Sequence, residues 1–134
     1  MSRSVACIDY RNGKLLIAKR KPTGDMGGRW EFPGGKIEEG EDFVQAIKRE
    51  MQEEFGCDTE VFEQLAKGTF IHKNKECSVD AFRVALKNDG IKEPFTLTEH
   101  TETKWIEPSQ INNLNFVDSD LGLFEQIKKS LGIE

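Results

Sequence analysis

Glu50, Glu53 and Glu54 crowd three carboxylates into five positions of a segment with helical spacing. On a helical wheel at about 100° per residue, with Phe43 at zero, Ile47 falls at about 40°, Met51 at about 80°, Val44 at about 100° and Phe55 at about 120°. Those residues form the apolar stripe. Glu54 falls at about 20°, Glu50 at about −20° and Glu53 at about −80° on the same wheel. One carboxylate therefore lies inside the stripe and two run along its edge. A helix selected only for packing keeps such a position apolar. A solvated charged face is the ordinary reason for clustered acids, and it fits poorly here. Like charges three and four apart repel by about a few tenths of a kcal/mol per pair. All three also stand in the C-terminal half, where the helix dipole disfavours negative charge. Only Lys48 and Arg49 lie close in sequence to offset them. Clustered oxygen donors suit a hard divalent cation, Mg²⁺ or Mn²⁺. The spacing is not that of an EF-hand loop.

The elements that would position these groups follow from periodicity and punctuation. Residues 4–10 and 14–20 flank Asn12-Gly13 and predict a β-hairpin. Residues 21–29 are a glycine-rich loop, and Pro33, Gly34, Gly35 and Gly40 make 30–40 irregular. A helix is predicted over 42–56, stopped by Gly56. Strands follow at 59–72 and 77–86 about a turn at Lys73-Asn74-Lys75, then a polar loop at 87–94 and a short strand at 103–106. Pro108 opens a helical turn at 108–112, and a last helix is expected over 120–131. Paired strands with two well-separated helices predict an α/β protein, a mixed sheet with helices on both faces.

The chain has 134 residues, which predicts one domain, 1–134. Its formal net charge is −5, and residues 38–54 alone, with seven acids and two bases, account for all of it. The remainder balances. A basic face for direct nucleic-acid binding is not expected, whereas a cation-holding site is. No apolar run approaches the roughly 18 residues of a membrane span. The first residues carry no long apolar stretch, so no signal peptide is expected. Cys7, Cys57 and Cys77 form no CxxC pair, and a reduced, cytoplasmic protein is the simplest expectation. Trp30, Trp105 and nine Phe supply aromatic mass for a core, with Trp30 and Phe32 read as structural.

Gly35, then Glu41, then Arg49-Glu50-Met51-Gln52-Glu53-Glu54-Phe55-Gly56-Cys57 resembles the Nudix box, Gx5Ex7REUxEExGU, where U is bulky and apolar. Every fixed position is met. Cys57 stands at the last U, where it serves as a small hydrophobe. A looser similarity to the MutT-type branch extends over nearly the whole chain. It is carried by Arg20, by Trp30-Glu31-Phe32-Pro33-Gly34-Gly35-Lys36, and by Glu99 six residues ahead of Trp105.

The resemblance implies an α/β/α sandwich around a central mixed sheet, and a hydrolase of nucleoside diphosphates linked to another moiety. It implies Glu50, Glu53 and Glu54 as metal ligands, with the Gly35 carbonyl joining them. Arg49 and Glu41 would orient the carboxylates; the plain alternative for Glu41 is helix N-terminal capping. Lys36 and Arg20 are candidates for phosphate contact, against the alternative that either is merely solvated. Glu99 is the candidate loop ligand or general base, with Glu102 its competitor. His100 is read as a surface residue and left outside the catalytic set. Asp120 is the candidate base reader and Asp118 the runner-up. The competing role for Asp120 is a helix N-cap. An ionised Asp120 would only accept hydrogen bonds and would favour bases that offer N–H groups. Val5, Cys7 or Phe70 could supply apolar contacts to the base.

The expected activity is Mg²⁺-dependent cleavage of a nucleoside triphosphate to the monophosphate and pyrophosphate, as in nucleotide-pool cleaning. The expected substrates are 8-oxo-dGTP, or (d)CTP and modified pyrimidine nucleotides. A nucleoside diphosphate sugar or dinucleotide polyphosphate is the second enzymatic reading. A nucleotide-sensing binding module is the non-enzymatic one, disfavoured because all three helix glutamates are intact. The partner would be the nucleotide alone, bound by a monomer or homodimer.

Overall fold

The computed structural model describes residues 2–24, 27–87 and 100–133. Two four-stranded sheets share an interior between two helices. The strands in chain order are β1 (Ser2–Ile8), β2 (Tyr10–Arg11), β3 (Lys14–Arg20), β4 (Trp30–Glu31), β5 (Gly34–Lys36), β6 (Thr59–His72), β7 (Lys75–Leu86) and β8 (His100–Ile106). The helices are α1 (Phe43–Phe55) and α2 (Asp118–Leu131), with a 3₁₀ segment at Pro108–Asn113. The first sheet runs β5-β1-β7-β6 and is mixed, since β1 lies parallel to β7 while its other pairs are antiparallel. The second is antiparallel, with β3 paired to β2 and β4 and, along nearly its whole length, to β8.

The expected hairpin is mostly absent. Only Tyr10–Arg11 pairs back onto β3, across a left-handed turn at Asn12-Gly13, while β1 leaves for the other sheet. Asp9 causes the parting. Its buried carboxylate accepts from Arg11 Nε and Nη2 at 2.8 Å and from the Leu86 N–H at 3.0 Å, so the chain turns to satisfy it. The interior of 30–40 is less irregular than expected, because β4 and β5 lie within it.

Alternation along the strands divides the core. Val5 and Cys7 of β1 and Leu16 and Ala18 of β3 pack with Ala46, Ile47, Met51 and Phe55 of α1. Ala6, Ile8, Leu15 and Ile17 face the opposite way and pack with Leu123, Phe124 and Ile127 of α2. That gives the helices-outside arrangement expected from the sequence. Val44, expected in the buried stripe, is exposed, and so is Trp105, whose ring takes the Arg11 guanidinium at 5.7 Å.

Helix α1 begins and ends as its sequence dictates. Asp42 accepts from the Gln45 N–H at 2.8 Å, Gln45 Oε1 accepts from the Asp42 N–H at 2.9 Å, and Gly56 closes the helix in the left-handed region. Helix α2 starts two residues earlier than predicted. Its N-cap is Val117, which makes no side-chain cap, and Asp120 lies inside the first turn. The N-cap alternative for Asp120 is therefore overturned. Among the described residues no helix is long and apolar enough to cross a membrane.

Candidate functional site

The acidic edge of α1 is organised by one guanidinium. Arg49 donates from Nε and Nη2 to the two oxygens of Glu41 at 2.7 and 2.9 Å. Nη1 reaches Glu50 Oε1 at 2.9 Å and Glu53 Oε2 at 3.2 Å, and Nη2 also donates to the Lys36 carbonyl at 2.9 Å. A planar fork makes such a two-sided contact possible; a lysine could not reproduce it. The Arg49 hydrogen bonds hold the Glu41 carboxyl below its ordinary pKa, and the Glu38 N–H adds to the effect. Glu41 does not cap α1, because Asp42 does.

Burial pushes the Glu50 carboxyl up, and Arg49 opposes it only in part. Gly35 explains how Glu50 fits. A Cβ at Gly35 would collide with the Glu50 carboxylate, so only a bare Cα lets β5 lie against this acid. Glu54 is buried, as its place inside the apolar stripe requires, and its Oε2 has no hydrogen-bond partner.

Among the described residues no three His, Cys, Asp or Glu side chains converge into a preformed cation cage. Glu50 and Glu53 are turned to Arg49, and Glu54 is turned to His100. The residues nevertheless fit a hard cation. A buried carboxylate oxygen carries no hydrogen bond, a glycine opens room beside a second carboxylate, and every donor is oxygen. Glu50, Glu53, Glu54 and the Gly35 carbonyl are the groups that could hold it. Glu99 lies outside the described residues.

Beside this edge opens a cleft of about 260 Å³. Arg20, Gly35, Lys36 and Asp120 all line it, so the structure gathers four of the sequence candidates from β3, β5 and α2. Val5 and Phe70 contribute apolar wall, whereas Cys7 is packed in the core under α1. Asp120 Oδ2 accepts from the Phe32 N–H at 2.9 Å. The bridge between Trp30 and Phe116 sets that distance, since it locks β4 to the chain entering α2. Burial, with the nearby Glu31 charge, raises the Asp120 pKa to about 8. That shift favours the protonated form, which can donate as well as accept. The direction of the shift runs against the expectation of an ionised, accept-only Asp120. Asp118 is exposed and pairs with Arg29 at 3.7 Å. Glu102 pairs with Lys19 of β3 at 3.9 Å.

Two residues of the site escaped the sequence. His100 is buried rather than at the surface, with Nε2 2.6 Å from Glu31 Oε2 and Nδ1 3.6 Å from Glu54 Oε2. Burial alone would lower its pKa, but the carboxylates on either side outweigh that and raise it to about 9. Glu31 also holds Arg20, whose Nη1 lies 3.2 and 3.3 Å from its two oxygens. The alternation of Trp30-Glu31-Phe32, one acid between two buried aromatics, is the signal that could have marked Glu31.

A family model described as NUDIX domain matches residues 1–127. A CTP pyrophosphohydrolase of Escherichia coli is 31% identical over 93% of this chain and 90% of its own. A putative 8-oxo-dGTP diphosphatase 2 of Mycobacterium tuberculosis is 30% identical over 95% of this chain and 88% of its own. Among solved structures, the ORF135 protein of E. coli superposes with a TM-score of 0.79 at 30% identity, covering 96% of this chain and 89% of that one.

Proposed function

The chain belongs to the NUDIX domain family and is a Nudix hydrolase of the MutT type; from that premise we propose that it cleaves a nucleoside triphosphate to the monophosphate and pyrophosphate with Mg²⁺, or Mn²⁺ in its place. The chain acts as one domain, and its role is to clear unwanted nucleotides from the precursor pool. The observation that carries this reading is the meeting of two unlike surfaces at Gly35. On one side is the cleft with Arg20, Lys36 and Asp120; on the other is the acidic edge of α1. A base can enter at Asp120 and Phe70 while its phosphate chain runs past Lys36 toward the glutamates.

Divalent ions held by Glu50, Glu53, Glu54 and the Gly35 carbonyl would activate water and offset charge building on the leaving pyrophosphate. The protein's own residues do the rest. Arg49 fixes Glu50 and Glu53 through its shared fork. Lys36 and Arg20 bring positive charge to the phosphates, and Glu31 keeps Arg20 extended into the cleft. Asp120 keeps Oδ2 occupied by Phe32 and leaves the other oxygen for the base, with burial favouring the protonated acid. A donor there suits a carbonyl on the base edge, as in guanine-type bases. Guanine-type and pyrimidine bases both carry such a carbonyl, so 8-oxo-dGTP and (d)CTP or modified pyrimidine triphosphates stand together as candidates, in line with the similarity to an 8-oxo-dGTP diphosphatase and to a CTP pyrophosphohydrolase.

The test is pyrophosphate release from a panel of (d)NTPs, 8-oxo-dGTP and nucleotide sugars, with and without Mg²⁺. Pyrophosphate from a triphosphate, only with the metal, is expected. Cleavage restricted to nucleotide sugars, or turnover of triphosphates unchanged by chelation, would overturn the assignment.

A further inference from the structure

A bulge in the second sheet selects which side chain of β8 enters the interior. Lys19 opposes Glu102, but Arg20 opposes His100, so Thr101 is passed over. In an unbroken ladder Thr101 would stand opposite Arg20, and the imidazole would face the other side. The bulge puts His100 in a slot among three elements. Its ring stacks on Phe55 of α1 with centroids 5.4 Å apart. Nε2 is tied to Glu31 of β4, and Nδ1 faces Glu54 of α1. Four side chains therefore run in series from the cleft to the acidic helix: Arg20, Glu31, His100 and Glu54.

The two ends of the ring are not equivalent. The Nε2 contact is short and fixed. The Nδ1 contact, at 3.6 Å, leaves both Nδ1 and Glu54 Oε2 buried without a hydrogen bond. Two buried polar atoms left this close cost free energy that a small rotation of Glu54 would recover. A histidine needed only to fill the core has no use for an open contact of this kind. It limits where the Glu54 carboxylate can go while leaving its oxygen free for another partner.

We propose that His100 is a positioning residue: anchored by Glu31 and Phe55, it sets the Glu54 carboxylate for a divalent cation and links that carboxylate to the Arg20 side of the nucleotide cleft. The inference rests on the reading of Glu54 as a cation ligand. The two ends can be separated by substitution. His100→Asn places an amide near the position of Nδ1 and loses Nε2; His100→Gln reaches toward the position of Nε2 and loses Nδ1; His100→Phe keeps the stack on Phe55 and loses both.

Mn²⁺ binding by calorimetry, KM and kcat for the best triphosphate, and the melting temperature are measured for the three variants and for Glu54→Gln. His100→Phe is expected to bind Mn²⁺ about tenfold or more weakly. His100→Asn should recover most of that affinity but raise KM, because Arg20 loses its supported partner. His100→Gln should hold KM and fail to recover Mn²⁺ binding. Equal behaviour of the Asn and Gln variants in both readouts would overturn the proposal and leave His100 as core filler. So would wild-type Mn²⁺ affinity in His100→Phe alongside weakened binding in Glu54→Gln, with the ligand assignment standing. If Glu54→Gln itself binds Mn²⁺ normally, the ligand assignment fails and the inference fails with it. Should His100→Phe not fold, the contrast between Asn and Gln decides alone.

Discussion

Replacing Gly35 by alanine tests whether the glycine is there for the chain or for the acid behind it. An ideal Cβ would stand 2.6 Å from Glu50 Oε1 and closer still to the rest of the carboxylate, where ordinary contact begins at 3.4 Å. The carboxylate must retreat by about 1.1 Å to clear its nearest atom, because β5 is pinned to β1 by backbone pairing and cannot. Misplacing a catalytic group by about 1 Å costs on the order of 100-fold in rate. At about 1.36 kcal/mol per decade, that is about 2.7 kcal/mol of barrier. Stability should barely change. Loss of the Arg49–Glu50 hydrogen bond removes about 1 kcal/mol. The lower chain entropy of alanine returns about 0.4–1 kcal/mol, since Gly35 does not adopt a positive φ. Pyrophosphate release should therefore fall about 100-fold while the melting temperature moves by a few degrees at most. A double-mutant cycle with Glu50→Asp sharpens the result. The shorter acid already stands back, so adding Gly35→Ala to it should cost little more. Additive losses, or a Gly35→Ala rate within threefold of wild type, would show that the close approach of β5 to Glu50 has no bearing on turnover.

Three further outcomes follow from the same geometry. Glu54→Gln should keep the fold and lose turnover by several hundred-fold or more, since its Oε2 has no hydrogen bond to lose; a near-normal rate would remove Glu54 from the ligand set. Asp120→Asn should flatten part of the stability–pH curve. The folded pKa of about 8 against an ordinary 3.8 means the native state holds the extra proton, so wild-type stability falls as pH rises from about 4 to 8. The melting temperature of the Asn variant should gain on wild type across that window and shift base preference; parallel curves would argue against a buried neutral acid. Arg20→Ala should raise KM several-fold with little change in kcat, and an unchanged KM would mean that Arg20 serves Glu31 alone.

The sequence revealed α1 almost to the residue, because every signal there is local. Apolar spacing and the Gly56 stop agree, and Glu54 stands out as an acid where packing wants carbon, although the cap fell to Asp42 and not to Glu41. The parting of β1 from β2 was hidden, because SVACIDY reads as one strand unless the Leu86 N–H that claims Asp9 is known. The start of α2 was missed for want of a polar cap at Val117, so the N-cap alternative for Asp120 stood beside its reading as a cleft residue until its bond from the Phe32 N–H was known. His100 was misread as a surface residue because its face is set by the one-residue bulge against β3, a property of pairing and not of the residues around it. In each case the local pattern was sound and a partner distant in sequence decided the outcome.

The charge at the site requires that the fold stand without its cation and be stabilised further by it. Glu41, Glu50, Glu53 and Glu54 set four carboxylates against the Arg49 guanidinium and the His100 imidazole, and burial disfavours the charged form of Glu50. Arg49 spends its donors on three of these acids, and His100 stands against the fourth, so the resting helix is already partly neutralised. A chelator should thus leave the melting transition intact. Added Mg²⁺ or Mn²⁺, binding the folded chain only, should then raise it by mass action, by about 2.7 kcal/mol at one hundred times Kd. For a chain of this length that is a shift of roughly ten degrees. The increment should be halved or less in Glu54→Gln and unchanged in Asp120→Asn, which touches only the base end of the cleft. A shift of equal size in all three proteins would place the cation somewhere other than the edge of α1.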